Sequence, residues 1–164
     1  MILSKNFSKA ELCKSQTAIR MGLVNIASDD QTENLRLLCE RVLQPVRDHF
    51  NHTVTISSGF RDPVLSRKIG SSEKSQHCKG EAADLEIFGV ANNELADWIK
   101  ENLMFDQLIL EYYTPGEPNS GWVHVSYTKE INANRKEYLM AIKNISGKTE
   151  YKPISGLSTD RYVK

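Results

Sequence analysis

Two of the four histidines lie in segments where they could act together with a carboxylate. His77 is followed by Asp84, and the small residues between them allow a tight loop that leads into a strand. His124 alternates with Val123 and Val125, so in a strand its imidazole lies on the face opposite the two valines. Two neutral imidazoles and one carboxylate suit Zn²⁺ and leave a fourth position open for water, as a catalytic zinc requires.

Spacing alone leaves a second interpretation open, in which the three residues are unrelated. His77 and His124 would then be core histidines, and Asp84 would simply end a strand. The other two histidines, His49 and His52, lie where a long helix is expected to give way to a strand, and we predict surface or capping positions for them.

A longer pattern around these residues resembles a known family. The chain carries Ser75-x-His77-x-x-Gly80-x-Ala82-x-Asp84 and, about forty residues further on, Trp122-x-His124. This pattern resembles the zinc D-alanyl-D-alanine carboxypeptidase family of peptidoglycan peptidases, which includes many phage endolysins. The resemblance extends upstream to Ser57-Ser58-Gly59-Phe60-Arg61, where that family carries a Ser-Gly-Tyr-Arg-like segment. It covers most of residues 7–127 and little of residues 131–164.

The resemblance implies an enzyme with a definite cofactor and substrate class. His77, Asp84 and His124 would hold one Zn²⁺ per chain, and the chain would be a zinc metallopeptidase acting on stem or cross-link peptides of peptidoglycan. Both a D,D-carboxypeptidase and an L-Ala-D-Glu endopeptidase remain open. The implied fold is that of the hedgehog/D-Ala-D-Ala peptidases.

The general base is the point at which this chain departs from part of that family. Well-known branches carry a glutamate three residues before the last histidine, where this chain has Gly121. The choice then falls on Glu111 or Glu117. If the strands around Glu111 and His124 pair antiparallel with these two residues opposite each other, Glu111 projects beside His124. We therefore favour Glu111, since Glu117 lies among turn residues and would need a folded-back loop.

Three further residues are candidates for contact with substrate. Arg61 follows a strand, and its guanidinium can hold a carboxylate or the oxyanion of a tetrahedral intermediate. Ser75 could bind substrate or orient a ligand, and Trp122 is a substrate-binding candidate. Asp106 and Gln107 are weaker candidates for orienting the ligands.

The apolar pattern predicts the elements that position these residues. Residues 32–50 carry apolar side chains at helical spacing, with Pro45 expected to bend the helix or restart a turn. Residues 7–20 predict a short helical segment with Ser8 and Glu11 in capping-box order. A further helix is predicted near residues 92–101, strands at 53–57 and 84–88, and hairpins that join 107–113 to 121–127 and 137–142 to 149–154. This order predicts an α+β fold with a mostly antiparallel central sheet and helices on one side.

Length and composition favour one ordinary globular domain. The chain has 164 residues, with 21 basic and 21 acidic side chains, which gives no reason to expect a nucleic-acid or membrane partner. We expect a monomer in which residues 1–130 form the peptidase domain. Residues 131–164 would add a hairpin and a basic tail to that domain.

The cysteines and the N-terminal sequence indicate where the protein is made and acts. Three widely spaced cysteines fit a reducing compartment, and the N-terminus resembles no signal peptide. We expect synthesis in the cytoplasm and action on the cell wall after release by a holin-like partner or carriage in a virion.

Two other function classes remain open at the level of the sequence. One is a zinc-binding but catalytically inactive cell-wall-binding or virion-structural module, which the glycine at position 121 keeps open. The other is a metal-free cell-wall-binding domain that uses the basic C-terminal stretch.

Overall fold

The computed structural model describes residues 1–155. Its strands are β1 (Ile2–Ser4), β2 (Phe7–Ser8), β3 (Val54–Ser58), β4 (Ala82–Ile87), β5 (Gln107–Glu111), β6 (Trp122–Ser126), β7 (Glu137–Lys143) and β8 (Thr149–Pro153). Its α-helices are α1 (Lys9–Leu12), α2 (Gln16–Met21), α3 (Asp29–Leu38), α4 (Gln44–Phe50), α5 (Pro63–Lys68) and α6 (Asn92–Asn102). Single turns of π-helix and 3₁₀-helix lie at Cys39–Leu43, Gln76–Lys79 and Ile131–Ala133.

A six-stranded sheet in the order β3-β4-β6-β5-β7-β8 forms the centre of the fold. All neighbouring strands are antiparallel except β5 and β7, which run parallel. Helices pack on one face of this sheet, so the predicted α+β class with a mostly antiparallel sheet is confirmed.

The long apolar stripe predicted over residues 32–50 packs into the core. Leu35, Leu38, Val42 and Val46 are all fully buried. The predicted effect of Pro45 is confirmed, because a π-helical turn separates α3 from α4 just before the proline. The amide N–H of Gln44 donates to the carbonyl of Cys39, five residues back. The stripe therefore keeps one buried face across the break.

The N-terminal segment is not the single helix expected for residues 7–20. It divides into β2, α1 and α2, because Ser8 and Ser15 each cap a separate helix. The Oγ of Ser8 accepts from the amide of Glu11 at 3.2 Å, and the Oγ of Ser15 accepts from the amide of Ala18 at 3.1 Å. The first helix ends at Leu12, and the second serine starts the next one.

The hairpin of β5 and β6 forms as predicted, but its register differs by two residues. Glu111 lies opposite Trp122, and Ile109 lies opposite His124. The strand ends at Glu111 because Tyr112 takes a left-handed conformation with a φ of 54°. A shift of two residues leaves every side chain on its original face. Glu111 and His124 therefore still share one face of the sheet.

The C-terminal hairpin belongs to the same sheet. β7 pairs with β5, and the buried carboxylate of Asp106 accepts hydrogen bonds from the backbone N–H, Nε and Nη2 of Arg135 at 2.9–3.1 Å. Residues 137–153 thus extend the sheet beyond β5. Residues 156–164, which include most of the predicted tail, lie outside the described residues. Across residues 1–155 no helix is long and apolar enough to cross a membrane.

The sheet has one core face and one open face. Leu85, Val123 and Val125 point into the hydrophobic core with the helices. Their neighbours Asp84 and His124 point the other way, as strand alternation requires. The candidate site consequently lies on the face of the sheet that the core leaves free.

Candidate metal centre

Three side chains with metal-ligating atoms come together on the open face. Asp84 of β4 lies directly opposite His124 of β6 in the ladder, and His77 reaches them from the 3₁₀ turn at Gln76–Lys79. One ligand atom from each residue lies within 4.8 Å of the other two. The three residues predicted from the sequence are therefore neighbours in space.

The ligand atoms of the two imidazoles and the carboxylate face a common centre, and a backbone contact fixes the tautomer of His77. Nδ1 of His77 lies 2.7 Å from the carbonyl of Gly59, which only accepts, so Nδ1 carries the proton and Nε2 is free. Nε2 of His77 lies 3.4 Å from Oδ1 of Asp84, and Nδ1 of His124 lies 3.0 Å from the same oxygen. Ligands about 2.05 Å from a tetrahedral zinc lie about 3.3 Å from one another. The donor set and its spacing fit zinc.

Burial and hydrogen bonding favour the protonation states that ligands need. Burial lowers the pKa of His77, which keeps the imidazole neutral. Burial alone would raise the pKa of Asp84, but its contacts with the imidazoles of His124 and His77 outweigh burial and hold that pKa below its usual value. A neutral imidazole and an ionised carboxylate are the forms that bind a metal.

The motif glycine packs this loop against the helical layer. Gly80 has a φ of 74°, and a Cβ there would meet the backbone carbonyl of Gln31 at 2.3 Å. Gln31 in turn donates from Nε2 to the carbonyl of Cys78, at 3.1 Å. The glycine therefore lets the ligand-bearing turn approach α3 closely.

A cavity of about 620 Å³ surrounds the three side chains, and it has the size of an ordinary ligand site. Glu111 and Arg61 both line it. Burial, and then the charge of Asp84, raise the pKa of Glu111 to about 7, while His124 and Arg61 partly oppose them. A carboxyl group with a pKa near neutrality beside a metal site is suited to take up and release a proton.

Two donors on residues that line this cavity are buried and have no acceptor among the described residues. They are the buried Nε of Arg61 and the buried indole Nε1 of Trp122. Unpaired buried donors are costly, and an acceptor on a bound molecule would satisfy them. Arg61 is held in place because its backbone N–H donates to the carbonyl of His77 at 3.1 Å.

The remaining candidates have different surroundings. Ser75 lines the cavity and caps the 3₁₀ turn, since its Oγ accepts from the amide of His77 at 3.2 Å. Gln107 also lines the cavity, whereas Asp106 lies behind it and binds Nε2 of Gln76 at 3.0 Å. Glu117 is exposed in the turn after β5 and does not line the cavity.

Several lining residues were not singled out in the sequence. Gln76, next to His77, and Tyr112, next to Glu111, could have been found by adjacency alone. Tyr151 could not, because it lies on β8, far along the chain from the motif. The ring of Tyr112 contacts that of Trp122 at a centroid distance of 5.4 Å, and its hydroxyl lies 2.6 Å from Oγ1 of Thr149.

The backbone at Gly121 explains why this chain carries no glutamate there. Gly121 has a φ of 64°, and a Cβ would come within 1.8 Å of the carbonyl oxygen of Glu111. Any side chain at this position would require the hairpin to move. The glutamate of the other branches is therefore incompatible with this turn, and the only carboxylate that β5 and β6 bring into the cavity is Glu111.

The α+β sheet and the two-histidine, one-carboxylate group fit a metal-dependent peptidase. The chain belongs to the peptidase M15 family, because the family's model, described as Peptidase M15, matches residues 5–126. The match covers all three candidate ligands and ends before the C-terminal hairpin. No curated protein matches the sequence.

The tight approach at Gly121 leads to a first prediction. Gly121→Ala should lower the free energy of unfolding by about 2–5 kcal/mol, because a strained φ and a backbone clash add together. Gly116→Ala is the matched control, since Gly116 also has a positive φ of 86° but has open space around it. It should cost only about 1–2 kcal/mol. Urea unfolding of both variants tests this, and equal losses would contradict it.

The raised pKa of Glu111 leads to a second prediction, for the metal-free protein. The folded state holds this proton up to a pH of about 7, whereas the usual pKa of a glutamate is 4.5, so stability is lost as the pH rises through that interval. Glu111→Gln removes this pH-dependent loss of stability. It should unfold like the parent at pH 4 and be more stable by about 1–2 kcal/mol at pH 8, since partial exposure reduces the full effect.

Urea unfolding at the two pH values in the presence of a chelator measures this difference. Glu117→Gln, at an exposed turn position, is the control and should match the parent at both pH values. A Glu111→Gln variant that gains nothing at pH 8 would show that the carboxyl is not buried as described.

Proposed function

We propose that this chain is a zinc peptidase that hydrolyses peptide bonds of bacterial peptidoglycan. The observation that carries the proposal is the placement of three ligand atoms, a carboxyl with a pKa near neutrality and an unpaired arginine donor in one cavity. Family membership supports the peptidase activity. The motif resemblance to peptidoglycan peptidases supports the substrate class.

Each side chain has a role that its surroundings favour. Nε2 of His77, a carboxylate oxygen of Asp84 and Nδ1 of His124 would hold one zinc ion per chain. Zinc bound there would supply Lewis-acid polarisation of the scissile carbonyl and lower the pKa of water. Glu111 accepts the proton of the attacking water and passes it to the leaving amine.

Two donors complete the site. The guanidinium of Arg61 donates to the oxyanion that forms on the scissile carbonyl or to a neighbouring substrate carboxylate. The indole N–H of Trp122 donates to a substrate carbonyl, which satisfies a donor that is otherwise buried without a partner. Ser75 holds the backbone of His77 and lines the cavity beside it.

The third prediction tests the metal ligands. His77→Ala and His124→Ala should each lose stoichiometric zinc, because two remaining protein ligands seldom hold zinc tightly. His49→Ala is the control, since His49 lies on the surface and stacks on Trp98 away from the cavity. Elemental analysis of the purified proteins measures the zinc content. Full occupancy in both site variants would show that the ligand set is wrong.

The fourth prediction separates an enzyme from an inactive zinc-binding module. Glu111→Gln should keep zinc and fold but lose about 10²–10⁴-fold in peptidoglycan hydrolysis, because it removes the base and no ligand. Glu117→Gln should stay within a few-fold of the parent. Release of new amino termini from purified peptidoglycan, followed by mass analysis of the fragments, measures both.

Three outcomes of this experiment differ in meaning. If the Glu117→Gln variant is inactive and the Glu111→Gln variant is active, the general base is Glu117 in the turn after β5. A zinc-loaded parent with no hydrolysis would favour the inactive cell-wall-binding or virion module. The masses of the fragments would identify the bond that is cut.

A further inference from the structure

A second cavity adjoins the candidate metal centre. It has a volume of about 450 Å³, and Arg61 and Ile69 line it as well as the first cavity. Arg61 therefore borders both cavities, and its buried Nε has no acceptor among the described residues. The first cavity alone, at about 620 Å³, holds the ligands and the base. A single short peptide in the first cavity would leave the second one empty.

The walls of the second cavity suit a length of peptide chain. One wall is the C-terminal part of β3, including Ile56, and β3 is an edge strand of the sheet. Within residues 1–155 it pairs only with β4, so its other edge offers unpaired main-chain donors and acceptors. Extended peptides bind such edges through main-chain hydrogen bonds, while pockets beside the edge select side chains. Leu65 and Ile69 of α5 supply an apolar surface.

The charge of the second cavity is positive. Lys14 lines it, is exposed, and forms no ion pair within the described part of the chain. Apart from Lys14 and Arg61, its polar lining residues, among them Gln16 and Thr17, are uncharged. With Arg61 at the junction, this cavity favours an arm of the substrate that carries a carboxylate.

We propose that the second cavity is a binding site for an extended, carboxylate-bearing arm of the peptide substrate, so that the enzyme cuts an internal bond. This inference rests on the proposed function. The arm would run from the metal centre past Arg61 and along the edge of β3. Binding energy from such a remote arm can be used in the transition state, so a substrate without it should react more slowly.

The test uses two soluble peptides built around the bond that mass analysis of digested peptidoglycan identifies. The short peptide keeps one residue on each side of that bond, and the long peptide keeps four on each side. The zinc-loaded parent should cleave the long peptide with a kcat/KM at least about tenfold higher, a modest use of remote binding energy.

Two variants test whether the expected preference for the long peptide depends on the second cavity. Gln16→Trp fills the cavity from an exposed position, and Lys14→Glu reverses its charge. In each variant, the kcat/KM for the long peptide divided by that for the short peptide should fall to near one. The kcat/KM for the short peptide should stay within about twofold of the parent's value. Met21→Trp on α2 and Lys5→Glu are the matched controls, since both residues are exposed and line neither cavity.

The outcomes separate this inference from the proposed function. If the parent cleaves both peptides equally well, or if Gln16→Trp keeps the parent's ratio, the second cavity does not bind substrate and this inference fails alone. If the zinc-loaded parent cleaves neither the peptides nor peptidoglycan, the proposed function fails and this inference fails with it. Zinc content and thermal unfolding confirm that each variant is folded.

Discussion

The cross-strand pair of Asp84 and His124 is the contact on which the rest of the site depends. The two residues lie directly opposite each other in β4 and β6, with Oδ1 and Nδ1 3.0 Å apart. Val123 and Val125, on either side of the histidine, are buried in the core. The strand cannot turn over without exposing both valines and removing the ligand. The pattern that folds the sheet is thus the pattern that presents the ligands.

The third ligand depends on backbone contacts between two loops. The carbonyl of Gly59 fixes the tautomer of His77, and Ser75 caps the turn that carries it. The carbonyl of His77 in turn accepts from the backbone of Arg61. The metal ligand and the substrate-facing guanidinium are therefore tied together, so that movement of one loop displaces both. Such contacts around a ligand set its orientation.

The geometry of the hairpin of β5 and β6 explains both why position 121 carries no glutamate and why Glu111 lies in the cavity. Gly121 packs against the carbonyl of Glu111 so closely that it excludes a side chain, and β5 ends at Glu111 itself. The last side chain of the strand lies in the cavity beside Asp84, where burial raises its pKa to about 7. The burial that makes this carboxyl costly for the fold is also what raises its pKa in the metal-free site.

Local periodicity predicted the fold class, the main strands and the buried stripe of the long helix. The grouping of His77, Asp84 and His124 came from the resemblance of a longer pattern to a known family, since spacing alone left the three residues unrelated. The sequence indicated the face of the sheet on which Glu111 lies but misplaced its cross-strand partner by two residues. Alternation specifies the face, whereas the turn sets the register. Other features of the site arise only when the chain folds. Tyr151 and the second cavity depend on strand order and on packing between distant segments, which no local pattern encodes.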